Sequence, residues 1–118
     1  MIPGAEWFAA GRVDRRKFDE YLLDPEHPDG RHKLRLWRSV FGVGEGEGRL
    51  LERLIREQIG RGIVTEKPPR TDLRRFEVLI EDFETAKNTE PMITAWVSEH
   101  GDWRRITPRF ITAYPVVR

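Results

Sequence analysis

The sequence predicts an α+β fold: N-terminal helices packed on one face of a C-terminal antiparallel sheet of three to four strands. Apolar residues in the first half recur at helical spacing, those of the second half alternate, and the links between the alternating runs are short. Short links favour an antiparallel meander. A chain of 118 residues fits one domain, 1–118, mainly helical over 1–62 and mainly strands over 63–118.

The first dozen residues read as an irregular arm anchored by Trp7 and Phe8. Asp14 then offers an N-cap, with Val13 and Phe18 placed to form a hydrophobic staple. Asp24-Pro25 should end that helix, because the residue before a proline avoids the α region. A second helix is expected from Arg31 to Phe41, its apolar side carrying Leu34, Trp37 and Phe41. Arg31, Arg35 and Arg38 fall at i, i+4 and i+7 and form one basic stripe. Lys33 leaves that stripe and points toward Leu36, Val40 and Trp37, either snorkelling from the first turn or held at the rim of a cavity.

GVGEGEG, 42–48, reads as a flexible connection, and Leu50 to Ile59 as an amphipathic helix stopped by Gly60 and Gly62. EKPPRTD, 66–72, reads as a loop between the two halves. Strands are expected over RRFEVLIEDF, PMITAWVSE and RRITPRFITAYPVV, the last split or entered at Pro108. In the second of these, Ile93, Ala95 and Val97 share one face, opposite Thr94 and Trp96. If the aliphatic sets face the helices, the outer face carries Thr94, Trp96, Thr112 and Tyr114, a polar-aromatic surface suited to phosphates and bases. These residue types are also ordinary strand formers.

Composition excludes several classes of function. No cysteine is present, so disulfides, a thiol nucleophile and a thiolate zinc site are ruled out, which is compatible with a reducing cytoplasm. The 21 basic and 20 acidic residues leave a net charge of +1, which excludes a grossly basic nucleic-acid coat while leaving local patches open. No run approaches the roughly 20 apolar residues of a membrane span, and MIPGAEWF has no secretory pattern. No membrane partner and a cytoplasmic location are therefore expected. The 17 arginines against 4 lysines suit phosphate recognition, although a GC-rich genome explains the same bias.

Neither a metal nor another cofactor is expected. The three histidines lack ligand spacing, and GVGEGEG lacks the Lys-Ser/Thr of a phosphate-binding loop. Ser39 and Ser98 have no nucleophile context. Metal-free acid–base chemistry on a phosphodiester remains, which needs a proton shuttle, a cation and donors that orient the phosphate. His27 sits between Glu26 and Pro28 in a stiff loop and is the candidate shuttle; its plain reading is a surface turn residue. Lys33 is the candidate cation, and Thr112 with Tyr114 the candidate donors.

Tyr21, Leu22, Leu23, Pro25, His27, Pro28, Gly30 and Lys33, followed by Thr112, Ala113, Tyr114 and Pro115, resemble the signature strings of a family of small bacterial proteins of unassigned function. Trp96 looks like the tryptophan that family carries in its penultimate strand. Residues 42–90 match poorly, and Leu34 stands where alanine is usual. More loosely, the layout and the terminal Thr-x-Tyr resemble the Barnase–EndoU–colicin–RelE group of toxin ribonucleases. That resemblance implies RNA cleavage without metal, with the ribose 2′-hydroxyl as nucleophile. His27 would then be general base or acid, Lys33 would stabilise the phosphorane, and Thr112 and Tyr114 would position the phosphate. Arg31, Arg35, Arg38 and Trp96 would bind RNA, and a cognate antitoxin or immunity-like protein would be the partner. The competing expectations are a non-catalytic protein-binding module, such as one half of a two-gene bacterial pair, and an RNA binder without cleavage.

Overall fold

The computed structural model describes residues 2–117. Its elements in chain order are α1 (Glu6–Ala9), a π-helical turn (Phe18–Leu22), α2 (Gly30–Leu36) running into a second π-helical turn (Trp37–Phe41), and α3 (Gly48–Gln58). After a short 3-10 turn (Ile59–Arg61) come β1 (Ile63–Arg70), β2 (Leu73–Glu84), β3 (Thr89–Ser98) and β4 (Arg109–Pro115). The strands form one antiparallel sheet in the order β1-β2-β3-β4, with the helices N-terminal to it. The class is α+β.

Asp14 accepts the Arg16 N–H at 3.1 Å, opening the first turn as expected. That turn then widens: the Leu23 N–H reaches back to the Phe18 carbonyl at 2.8 Å. Widening lets Phe18, Leu22 and Leu23 all face inward, which a 3.6-residue period alone would not allow. Phe18 stacks on Phe110 of β4 with ring centroids 5.1 Å apart. In the second wide turn Trp37 and Phe41 are buried beside Phe83 of β2. The glycine connection is tied at both ends, Gly44 N–H to Glu47 at 2.8 Å and Gly48 N–H to Asp19 at 3.0 Å.

Polar groups join α3 to the rest. Arg56 donates to the Ala9 and Gly11 carbonyls at 2.9 and 3.0 Å and pairs with the buried Glu52 at 2.9 Å. The Gln58 amide exchanges two 2.8 Å bonds with the backbone of Glu84, so a side chain extends the ladder of β2.

Two expectations are corrected. EKPPRTD is no inter-element loop: its first five residues belong to β1, and the turn falls at Thr71 and Asp72, with Thr71 at φ 54°. β1 is an edge strand, and Pro68 and Pro69 fall where its register with β2 shifts between Lys67 and Arg70, so neither has to supply a ladder N–H. The faces of β3 are also reversed. Thr94 and Trp96 lie in the core, 0% and 2% exposed, while Ile93, Ala95 and Val97 lie half-buried on the far face. The reason is mutual satisfaction: the Trp96 indole N–H donates to the Thr94 hydroxyl at 2.7 Å, so this pair enters the core with the indole N–H satisfied. Trp96 therefore offers no stacking platform for RNA.

In β4 the register shifts opposite Ala95 and Trp96, inserting Ile111 as an extra residue. Phe110 and Ala113 consequently both face the core, and Thr112 and Tyr114 face outward as expected.

Candidate functional site

Cross-strand pairing sorts the far face of the sheet into three rows. The first runs Lys67, Arg75, Val97 and Arg109, and a backbone bridge from Arg109 extends it to Arg12. The second runs Thr65, Glu77, Ala95 and Thr112; the third runs Ile63, Leu79, Ile93 and Tyr114. Two residues of extended chain separate successive rows along β1, β2 and β3, about 7 Å, and the bulge makes it three between Arg109 and Thr112 in β4. No side chain of these rows is fully buried, and Ile63 is 53% exposed, so this face is open to solvent.

A cleft of about 330 Å³ lies across the rows, lined among others by Lys67, Arg70, Arg75, Glu77, Thr112 and Tyr114. Lys67 stands 3.9 Å from the Glu77 carboxylate, and Arg75 donates to the Pro68 carbonyl at 3.2 Å. Burial, and secondarily the Glu77 charge, push the pKa of the Tyr114 hydroxyl up, so it stays protonated at neutral pH. The Thr112 hydroxyl is buried and has no hydrogen-bond partner. An unpaired buried hydroxyl costs about 1–3 kcal/mol, an expense that a ligand acceptor would offset.

The N-terminal half of the expected site forms a separate cluster. His27 Nδ1 accepts the N–H groups of Asp29 and Gly30 at 3.1 and 3.0 Å, which places the proton of the neutral ring on Nε2. The ring thereby caps the start of α2. Acting as a base would require Nδ1 to give up both bonds. The His27 ring meets the Tyr21 ring edge to face with ring centroids 4.7 Å apart, and Lys33 donates to the Tyr21 hydroxyl at 2.5 Å while lying 4.8 Å from the centroid of that ring. Lys33 is thus turned off the arginine stripe, as its position on the helix requires. Gly30 is obligatory here, since a Cβ would lie 1.6 Å from the Tyr21 carbonyl oxygen.

α2 packs against β4, and Lys17 reaches the Ile111 carbonyl at 3.2 Å, so the cluster belongs to the flank of β4. Among the described residues, no hydrogen bond, ion pair or ring contact links His27 or Lys33 to Thr112 or Tyr114. Arg31, Arg35 and Arg38 do come together, lining a groove of about 530 Å³ with Pro25, Leu34 and Ser39. The three arginines are exposed there, with the buried Leu34 among the groove's lining.

Sequence reasoning singled out none of Lys67, Arg75, Glu77 and Arg109. The signal lies in the strand register, which aligns positions from separate strands and has no trace within any one of them.

A family model described as a domain of unknown function, DUF6883, matches residues 8–117. The chain belongs to that family. No curated protein and no solved structure matches the DUF6883 chain. Among its described residues no helix is long and apolar enough to cross a membrane, and no group of three or more His, Cys, Asp or Glu side chains is placed to hold a metal ion.

Proposed function

We propose that the protein is a metal-independent endoribonuclease of toxin type, with its active site on the open face of the sheet. One observation carries this reading: a row of cations runs beside a row holding a carboxylate and an orphaned hydroxyl, with Tyr114 beyond. A phosphodiester lying along Lys67 and Arg75 has its ribose over Glu77. Glu77 takes the proton of the 2′-hydroxyl, the 2′-oxygen bonds to phosphorus, and the bond to the 5′-oxygen breaks. The leaving oxygen takes a proton from water on the open face. Arg75 offsets the charge growing on the phosphorane, and Thr112 and Tyr114 donate to its oxygens. The products are a 2′,3′-cyclic phosphate and a free 5′-hydroxyl.

In this reading His27 and Lys33 are structural: they hold α2, which packs against the strand carrying Thr112 and Tyr114. The resemblance of the TAYP strand to the toxin ribonucleases supports the same reaction. A cell making such an enzyme needs an antitoxin or immunity-like protein to neutralise it.

The test is incubation of the purified protein with RNA in EDTA, scored for 2′,3′-cyclic phosphate ends. Glu77→Gln should lower kcat by about 10²–10⁴. Wild-type protein that leaves RNA intact overturns the nuclease reading, and an undiminished Glu77→Gln overturns this assignment of the base. The groove of Arg31, Arg35 and Arg38 favours a second reading, a non-catalytic module that docks an acidic partner protein. That reading predicts no cleavage and a complex with a neighbouring gene product that Arg35→Glu dissociates.

A further inference from the structure

The first row does not end at the cleft. Beyond Val97 it continues into Arg109 and Arg12, and these two line a second cleft of about 260 Å³ together with Arg105, Glu99 and Ile106. The two clefts share Leu73 and Val97, so they form one track across the sheet. Arg12 is held there by backbone bonds on both sides, its N–H to the Pro108 carbonyl at 2.8 Å and its carbonyl from the Phe110 N–H at 2.9 Å. Arg105 is set by the 3-10 turn Trp103–Arg105, which Asp102 caps through the Arg104 N–H at 3.1 Å. Among the described residues no carboxylate pairs with Arg12, Arg105 or Arg109, whereas Arg15, Arg16, Arg56, Arg61 and Arg74 all have such partners. Three arginines with no acidic partner thus stand around one cleft on backbone that is held in place.

We propose that this second cleft is a subsite for nucleotides flanking the scissile bond, so that the ligand is a single RNA strand lying across the strands of the sheet. Arg12, Arg105 and Arg109 take its phosphates. Glu99, on the cleft wall, accepts hydrogen bonds from a 2′-hydroxyl or a base amino group, and Leu73, Val97 and Ile106 form an apolar floor under a base. Arg75 and Arg12 lie three strand spacings apart, about 14 Å, so the track spans several nucleotides and a dinucleotide cannot fill it.

This proposal rests on the nuclease reading for its substrate, but binding can be measured without cleavage. A fluorescein-labelled dodecamer of deoxythymidine lacks the 2′-hydroxyl and remains intact, so its anisotropy reports the track alone. Arg12→Ala with Arg105→Ala should reduce the slope of log affinity against log salt by about 1.4, two phosphate contacts on a single strand. Arg105→Glu, which changes the charge of the cleft by the same two units, should weaken binding comparably. Circular dichroism identifies any variant that fails to fold, in which case Arg105→Glu alone decides. Slopes and affinities equal to wild type overturn the track whatever the cleavage result. Lost dodecamer binding in a protein that cleaves no RNA retains the track and removes the nuclease.

Discussion

Thr94 and Trp96 form a polar pair in the core, and both are essentially sealed from solvent. Thr94→Val keeps the shape but strands the indole N–H, and should cost about 1–3 kcal/mol in urea unfolding. Adding Trp96→Phe removes the stranded donor, so a double-mutant cycle should show the two costs to be coupled. Purely additive costs would show that the bond contributes nothing. At Tyr114 the raised pKa sets the pH dependence. A phenol that holds its proton more tightly when folded contributes no penalty below its unfolded pKa of about 10, and it destabilises the fold as pH rises past that value. Wild type should therefore lose stability relative to Tyr114→Phe only above about pH 10, read from unfolding midpoints across that range.

Elements are held by residues that resemble functional ones. His27 looks like a catalytic histidine, yet its ring accepts two N–H groups at the start of α2 and so does the work of an N-cap. His27→Ala should cost about 1 kcal/mol of stability, the usual range for a lost cap, while cleavage per folded molecule is retained. A hundredfold fall in kcat with no change in stability would return the ring to the chemistry. The bulge at Ile111 acts on β4 in the same indirect way. By inserting one residue it puts both Phe110 and Ala113 in the core and leaves Thr112 and Tyr114 outside, which strict alternation from Phe110 to Ala113 forbids.

Across the whole molecule, the two arginine-lined surfaces considered for RNA are separate. The exposed groove of Arg31, Arg35 and Arg38 belongs to the helical layer, and the cation row lies on the far side of the sheet. One short strand of RNA cannot use both. Replacing Arg31, Arg35 and Arg38 together by alanine should leave the salt slope for dodecamer binding and the rate of RNA cleavage unchanged, with stability altered by no more than about 0.5 kcal/mol per site. A reduced slope would place the groove on the RNA path, as the helical stripe first suggests.

The sequence by itself determined the α+β class, the placing of helices before strands, the break at Asp24-Pro25 and the turn of Lys33 off its stripe. Each of these follows from local rules of period, capping and sterics. EKPPRTD was not legible as a strand, because prolines mark a break unless the strand is known to lie at an edge, and edges are set by pairing. The burial of Trp96 was not legible either: alternation shows that a strand has two faces without showing which one meets the helices. Only the tertiary structure decided that Lys67, Arg75, Arg109 and Arg12 stand in one row beside Glu77. Register is a property of pairs of strands, and the residues it brings together lie nearly a hundred positions apart along the chain.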